Sequence, residues 1–248
     1  MAISSPEQEL RRKTRRGFIG LGAGALGCVG IWKWLNSGTP DNKLPPALRS
    51  VLGFNERVVR NAIYSNNHLV PTYPASAIGN IKVNGRIGID EELDLANWSL
   101  ALTPFGAASP SAKISLHDIK SLPRYEQTIN FKCVEGWSTV TQFAGARFSD
   151  FTAKFAPGSE HAKCVGMKTP DEEYYVSVDT PSAMHPQTLL AYEMNGAALT
   201  VPHGAPLRLV LAVKYGIKNI KQIGSIEYTD ARPDDYWAEE GYDWYAGL

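Results

Sequence analysis

The pattern of hydrophobic and polar positions predicts a short leader followed by one mixed domain. An apolar run rich in Gly and Ala occupies residues 17–31, directly after a group of basic residues. Further along the chain, several segments alternate between apolar and polar residues with the period of a half-buried strand. The most apolar of these segments, residues 207–213, predicts a strand that is buried on both faces. No second linker, internal repeat or low-complexity stretch follows the leader.

The predicted elements mix strands with short helices and do not follow a regular strand–helix alternation. Residues 188–194 form a strand or the end of a helix, closed by a tight turn at Asn195-Gly196. The other predicted strands are 81–85, 127–134, 174–178 and 223–228, and the predicted helices are 54–64, 116–121 behind a Ser115 cap, and 143–155. This mixture predicts an α+β fold of mostly β character.

Charge is unevenly distributed along the chain. The whole sequence has 25 basic and 25 acidic residues, but residues 1–40 carry six basic and two acidic side chains, which leaves residues 41–248 at −4. A mildly acidic body argues against a nucleic-acid surface, which needs a dense basic patch. Hydrophobic residues make up 44% of the chain, as in a globular protein that buries a core without disulfides.

The N-terminal segment has the features of an export signal. Residues 14–19 read Thr-Arg-Arg-Gly-Phe-Ile, and a basic region before a short apolar run is typical of such signals. The arginine pair resembles the twin-arginine signal, which directs export of folded proteins. Residues 36–50 are rich in Pro, Asn, Ser and Gly, so we expect a leader at 1–35, a linker at 36–50 and a domain at 51–248.

Two alternatives for the leader remain open. A basic N-terminus that associates with a membrane has the same composition. The sequence shows no clear cleavage site, so the leader could stay attached as an uncleaved anchor. The apolar run at 17–31 is, however, shorter than the ~20 residues that a membrane-spanning helix needs.

Cys133 is the residue most indicative of chemistry. It lies at the end of the predicted strand 127–134 and precedes Gly136, in the sequence Phe-Lys-Cys-Val-Glu-Gly-Trp. A thiolate is a good ligand for soft metals, and the neighbouring Lys132 favours the charged form. The chain has three cysteines and no C-x-x-C pair, which argues against a structural zinc site. From these residues alone, a cysteine buried as a small hydrophobe is the alternative.

Three further segments extend the pattern. The sequence His-Gly-Ala-Pro-Leu-Arg at 203–208 precedes the apolar strand, Lys-Tyr-Gly-Ile-Lys-Asn-Ile-Lys at 214–221 follows it, and Leu-Leu-Ala-Tyr-Glu-Met-Asn-Gly lies upstream at 189–196. Together with the Cys-Val-Glu-Gly-Trp segment, they resemble the molybdopterin-binding domain of the sulfite oxidase family. The resemblance covers about residues 54–245 and is nearer to the single-domain periplasmic methionine sulfoxide reductase type than to full sulfite oxidases.

This resemblance implies a molybdenum–molybdopterin cofactor and an oxidoreductase that moves an oxygen atom to or from a small oxo substrate. A sulfoxide, an N-oxide and a sulfite-like anion are the substrates it implies. It also implies a periplasmic enzyme, or one on the outer face of the cytoplasmic membrane, that exchanges electrons with a haem protein. The sequence has no C-x-x-C-H haem motif and no iron–sulfur cysteines of its own, so we expect a separate membrane haem protein or a soluble cytochrome.

The resemblance also assigns roles to particular residues. Cys133 is the implied molybdenum ligand, and Tyr242 is the implied active-site tyrosine, whose phenol could donate a hydrogen bond to the substrate oxygen. The implied cofactor contacts are Asn67, His68, Thr169, His203, Arg208, Asn219, Ile220 and Lys221. Sulfite oxidases have an arginine where this chain has Asn66, and a buried charge-assisted contact contributes about 1.5–3 kcal/mol. A neutral oxo substrate therefore fits this chain better than sulfite.

The chemistry of the cofactor agrees with these residue types. A phosphate is bound by Arg, Lys and backbone N–H donors, and Arg208, Lys218 and Lys221 flank one strand and could converge on one edge. Two other functions are compatible with the sequence. Cys133 and His203 could form the nucleophile and base of a hydrolase, or the domain could be an inactive pterin-binding module, since fold does not fix function.

Overall fold

The computed structural model describes residues 6–80, 82–106 and 111–248, with side chains described from residue 14 onward. The chain divides into two compact units, Met1–Asn55 and Glu56–Leu248. Helix α1, Pro6–Leu35, belongs to the first unit, and helix α2, Pro46–Val58, begins inside the segment that we expected to be a linker.

Helix α1 contains the apolar part of the leader. Its segment Thr14–Leu35 has 22 residues, is exposed, and is long and apolar enough to cross a membrane. At 1.5 Å per residue this segment is about 33 Å long, which matches the hydrocarbon core of a bilayer. The apolar run at 17–31 is short for a span, but the helical segment that contains it is longer, because the helix continues past Ile31 through Trp32 and Trp34. An uncleaved anchor stays a prediction.

The second unit contains ten strands and four short α-helices among its described residues. The strands are β1 Ser99–Thr103, β2 Ala112–Ser115, β3 Arg124–Lys132, β4 Ser138–Arg147, β5 Cys164–Lys168, β6 Tyr175–Asp179, β7 Thr188–Met194, β8 Ala197–Ala198, β9 Arg208–Leu211 and β10 Ser225–Thr229. The helices are α3 Leu116–Lys120, α4 Phe148–Phe155, α5 Thr180–Ala183 and α6 Tyr236–Glu239, and a π-helical turn, Val59–Ile63, follows α2. The mixed, β-rich fold class predicted from the sequence is confirmed.

The strands form two sheets. The first has the order β2-β1-β10-β5-β6, in which only β1 and β10 run parallel. The second has the order β3-β4-β7-β8, with β9 also paired to β7. The largest apolar cluster joins residues of both sheets, and a second cluster covers the opposite face of β7 and β9. On β9, Leu209 packs in the first cluster and Val210 in the second, which confirms that this strand is buried on both faces.

Local sequence signals account for several element boundaries. The Ser115 side chain accepts a hydrogen bond from Asp118 N at 3.1 Å, and the Asp118 carboxylate accepts one from Ser115 N at 3.0 Å, so the predicted cap of α3 is confirmed as a capping box. Asn195 and Gly196 have φ values of 50° and 77°, as a two-residue hairpin turn requires. This turn identifies residues 188–194 as a strand.

Two predicted elements are wrong. The helix expected over 143–155 begins only at Phe148, because β4 continues to Arg147 and is paired on both sides, with β3 and with β7. The strand expected at 81–85 is not formed by residues 82–85, where Gly85 turns the chain with a φ of 72°. Ile81 lies outside the described residues.

Candidate active site

Cys133 lies at the start of the loop that joins β3 to β4. The loop, residues 133–137, is closed by a hydrogen bond from Cys133 N to Trp137 O at 2.9 Å and by one from Gly136 N to Cys133 O at 3.1 Å. Gly136 adopts a φ of 88°, which a residue with a side chain rarely takes. The Cys133 side chain is buried at 8% exposure, at the strand end where the sequence predicted it.

A cavity of about 350 Å³ opens beside Cys133. Six of the predicted site residues line it: Cys133, His203, Arg208, Asn219, Lys221 and Tyr242. They come from three parts of the chain, because the β3–β4 loop, the segments on either side of β9, and the C-terminal segment all reach this cavity. Segments that are far apart in the sequence thus meet where the resemblance predicted.

Arg208 carries a charge that the described protein groups do not neutralise. Its guanidinium is buried, donates to His203 O at 3.1 Å, and lies over the ring of Phe143. The Nε atom of Arg208 has no hydrogen-bond partner, and no carboxylate pairs with the group, among the described residues. Burial lowers its pKa to about 10. A buried cation with an unused donor favours an anionic ligand, which would supply the missing partner.

Lys221 and His203 add basic character to the same cavity. Burial, and secondarily the charge of Arg208, lower the pKa of Lys221 to about 8. Burial also lowers the pKa of His203, with further contributions from Arg208 and Lys221. The described contacts of His203 do not include the Cys133 sulfur, so the Cys–His pair that a hydrolase needs is not formed.

The Lys221 ammonium is itself held by protein carbonyls. Its Nζ donates to Gly85 O at 3.1 Å, to Pro202 O at 3.0 Å, and to Asn84 O. An ammonium has three donors, and these three bonds use all of them. Gly204, with a φ of 98°, leaves the space for this side chain, because a Cβ there would lie 2.8 Å from Lys221 Cβ.

Asn219 and Ile220 occupy the loop between β9 and β10. The Asn219 carboxamide accepts from Leu211 N at 2.6 Å and donates to Tyr215 O at 3.0 Å, so it holds the loop in place. The Ile220 side chain is fully buried in the core and does not line the cavity, and its carbonyl accepts from Leu209 N. A cofactor contact at these two positions stays a prediction.

Three other predicted contacts are not brought to the cavity. Thr169 is buried in a turn, where its hydroxyl donates to Asp171 Oδ1 at 2.5 Å and accepts from Tyr174 N at 3.1 Å. Asn67 is exposed, and His68 lines a second cavity of about 430 Å³. These assignments to the cofactor also stay predictions.

Lys218 does not join the basic residues of the cavity, contrary to expectation. It is fully buried, and its ammonium pairs with the Asp235 carboxylate and donates to Ser177 O at 3.2 Å. The prediction that all three basic residues converge is therefore wrong, because the carboxylate of Asp235, the N-cap residue of α6, already neutralises Lys218.

Tyr242 lies at the open side of the cavity with 42% exposure. Its ring packs edge-on against Trp237 with 5.2 Å between the ring centroids, and its backbone N–H donates to Trp237 O at 2.9 Å. These two contacts hold the ring in place, and among the described residues the phenol has no hydrogen-bond partner, so it could bond to a ligand.

Two residues of the cavity had no predicted role. The Glu135 carboxylate accepts from Trp137 Nε1 at 2.8 Å and from Asn84 Nδ2 at 3.2 Å. Asn84 Nδ2 also donates to Cys133 Sγ at 3.6 Å. Glu135 stands in the same motif as Cys133, and that proximity was its signal, whereas Asn84 had none because its segment reads as an ordinary strand.

Comparison with known proteins identifies the family of this chain. Residues 87–237 match a family described as the oxidoreductase molybdopterin-binding domain. A putative protein-methionine-sulfoxide reductase subunit YedZ1 from Azospira oryzae is 34% identical, over 84% of this chain and 79% of its own. The protein-methionine-sulfoxide reductase catalytic subunit MsrP from Campylobacter jejuni is 31% identical, over 95% and 81%.

A solved structure shows the same fold. The sulfane dehydrogenase SoxCD from Paracoccus pantotrophus superposes with a TM-score of 0.51 at 19% identity, over 57% of this chain and 40% of its own. The family match and the two relatives define the class of protein as a molybdopterin-binding oxidoreductase. The chain belongs to the sulfite oxidase family of molybdopterin-binding oxidoreductases.

Proposed function

We propose that this enzyme reduces sulfoxides, with methionine sulfoxide in proteins as the substrate class, by transfer of the sulfoxide oxygen at a molybdenum–molybdopterin site. The observation that carries the proposal is one cavity lined by both Cys133, a buried thiol, and Arg208, a buried cation whose Nε has no hydrogen-bond partner among the described residues. Relatives that are 31–34% identical over most of their length carry the name of this activity. Asn66 in place of an arginine favours a neutral substrate over sulfite.

The residues of the cavity fit this cofactor. The Cys133 thiolate would bind the molybdenum, and Arg208, His203 and Lys221 would hold the polar and phosphorylated part of the pterin. When bound, the cofactor supplies two-electron exchange and oxygen-atom transfer. Lys221 must give up at least one of its three carbonyl partners to contact a phosphate. Tyr242 would donate a hydrogen bond to the sulfoxide oxygen and orient it.

The electron source and the cellular location are part of the proposal. A haem protein in or at the membrane would supply electrons, and the enzyme would act in the periplasm or on the outer face of the cytoplasmic membrane. Support comes from the basic residues Arg15 and Arg16 at the start of the helix segment Thr14–Leu35, directly before its apolar part. Replacing both arginines by lysine should keep the folded protein in the cytoplasm, as measured by cell fractionation. Unchanged export of that variant would contradict the twin-arginine route.

Metal analysis and a substrate panel test the activity. The full-length protein, purified from the cell envelope, should contain close to one molybdenum per chain. With a reduced viologen as electron donor, it should reduce methionine sulfoxide in a peptide faster than an N-oxide. It should also oxidise sulfite poorly with an electron acceptor. A protein without molybdenum would contradict the proposal and would favour an inactive pterin-binding module.

A pair of cysteine variants separates the site from the fold. Cys133→Ser should abolish turnover and leave the melting temperature near that of the wild type. Cys164 is the matched control, because it is also a buried free thiol but packs with Trp244 and Tyr245, outside the cavity. Cys164→Ser should keep its molybdenum and its turnover. Activity retained by Cys133→Ser would refute the metal-ligand assignment.

A further inference from the structure

The Asn84 side chain lines the cavity and donates two hydrogen bonds there. Its amide nitrogen lies 3.6 Å from Cys133 Sγ and 3.2 Å from Glu135 Oε2. A carboxamide has two N–H donors, so one can point at the sulfur while the other points at the carboxylate. One donor of Asn84 is thereby engaged at Cys133, the residue that the proposed function makes the metal ligand, and the other at Glu135 in the same loop.

Hydrogen bonds to the backbone carbonyls of Asn84 and Gly85 also hold Asn84 in position. Its carbonyl and that of Gly85 accept hydrogen bonds from the Lys221 ammonium, which is also bound to Pro202 O. Residues 82–85 belong to no helix or strand, so the bonds of Lys221 to Asn84 O and Gly85 O attach this stretch of chain. For this attachment to persist in the loaded enzyme, Pro202 O is the partner that a cofactor phosphate would replace. The attachment joins positions 137 residues apart and holds the carboxamide at the thiol.

Glu135, the second acceptor of the Asn84 carboxamide, is also held in place. The Glu135 carboxylate accepts a second hydrogen bond from Trp137 Nε1 at 2.8 Å, and Lys82 Nζ lies 5.2 Å from the centroid of the Trp137 ring. Asn84 therefore donates to two groups of one short loop whose own geometry is closed by the Cys133–Trp137 backbone bond.

We infer that Asn84 is a positioning residue for the Cys133 sulfur: its N–H donor orients the thiolate toward the metal and draws electron density from it. This inference rests on the proposed function, because it takes Cys133 as the molybdenum ligand. A hydrogen bond to a ligating sulfur weakens electron donation to the metal and so raises the reduction potential, one of the general ways in which surrounding groups tune a metal site.

The test compares three variants of the molybdenum-loaded, full-length enzyme. Asn84→Ala removes both donors, and Asn84→Asp keeps the shape while replacing the donor by an acceptor. Asn80→Ala is the matched control, because Asn80 is exposed on the preceding stretch of chain and, in the part of the chain that the structure describes, it makes a hydrogen bond through its backbone carbonyl, to Thr139, and none through its side chain. Redox titration followed by electron paramagnetic resonance of the Mo(V) signal measures the potential and the metal–sulfur bond directly.

The expected result is a more negative Mo(V)/Mo(IV) potential in Asn84→Ala, a larger negative shift in Asn84→Asp, and altered g-values in both. Asn80→Ala should match the wild type. Loss of molybdenum from both Asn84 variants, with unchanged melting temperatures and a loaded Asn80→Ala, would also support the inference. A wild-type potential and spectrum in loaded Asn84→Ala would overturn it, as would loading of Asn84→Asp alone, since shape would then suffice. A wild-type protein without molybdenum would instead refute the proposed function.

Discussion

Arg208 and Phe143 form a cation–π pair inside the cavity, with 5.2 Å between the guanidinium carbon and the ring centroid. The ring, together with one carbonyl from His203, is the main compensation that the described residues offer this buried charge. A cation held in this way is stabilised far less than one paired with a carboxylate. The buried charge of Arg208 therefore comes at a cost: it lowers the free energy of unfolding of the cofactor-free protein.

This cost gives the first prediction. In the cofactor-free full-length protein, Arg208→Met should raise the free energy of unfolding by roughly 1–3 kcal/mol, because it removes a buried charged group with an unsatisfied donor. The same variant should lose most of its molybdenum. Urea denaturation and metal analysis measure the two effects.

The control for Arg208 is Arg124, which is partly exposed and pairs with Glu126 and Glu193. Arg124→Met should change stability by no more than about 1 kcal/mol and should keep the metal. A destabilised Arg208→Met protein, or one that retains full molybdenum, would show that the charge is compensated and is not used for the cofactor.

The second prediction concerns the attachment of residues 82–86 by Lys221. Lys221→Met keeps the aliphatic stem but removes the three hydrogen bonds to carbonyls, so this stretch should become more mobile. Limited trypsin digestion should then cut faster after Lys82 and Arg86, as followed by mass spectrometry. Lys163→Met, at an exposed position away from the cavity, should be cut at the wild-type rate. Equal rates in both variants would contradict the attachment.

The third prediction is a pH dependence of stability caused by Lys221. Its pKa in the folded protein is about 8, below the usual 10.5. Between these two values the unfolded chain binds more protons, so the contribution of this residue to the free energy of unfolding rises with pH. Below about pH 8 the cost of burying the charge is present in full.

The measurement is the difference in unfolding free energy between wild type and Lys221→Met in the cofactor-free state. This difference should shift in favour of the wild type as the pH is raised from 8 to 10. Using the difference cancels the titration of the tyrosines and cysteines that both proteins share. A difference that is constant across this range would show that the pKa of Lys221 is not lowered.

The fourth prediction tests the packing of the second sheet. A Cβ added at Gly145 would lie 2.0 Å from the Leu190 carbonyl oxygen, at the point where the register between β4 and β7 shifts. Backbone atoms cannot move aside as a flexible side chain can, so Gly145→Ala should lower the free energy of unfolding by about 3 kcal/mol or more. Gly53→Ala, in helix α2 with open space around it, should not destabilise the protein. Thermal denaturation distinguishes the two.

Sequence reasoning succeeded where the signal is local. The end of β3 at Cys133, the turn at Gly136 and the cap at Ser115 each depend on residues within a few positions of one another. Arg208, the first residue of β9, and Lys221, in the loop after this strand, both line the cavity, and their roles toward a cofactor stay predictions.

It failed where partners are distant in the sequence. The sequence gives Lys218 and Lys221 the same expected role, yet the Asp235 carboxylate neutralises Lys218. No residue near Lys218 in the sequence indicates this ion pair. Asn84 depends on Lys221, 137 residues away. Strands β1 and β5 were missed because β10 pairs with both of them, and such pairing reflects the assembled sheet rather than the residues of either strand.

Side chains along β3 and the residue after it alternate between two sides, so each side contributes different side chains to a different cavity. Phe131 and Cys133 line the cavity of the proposed active site, whereas Asn130 and Lys132 line the second cavity on the other side of the strand. Nine consecutive residue pairs with β4 fix this arrangement. Deleting or inserting one residue within the strand would exchange the two faces and present an ammonium where a sulfur now lies. The presence of the thiol in the cavity therefore depends on the number of residues in this strand as well as on the cysteine itself.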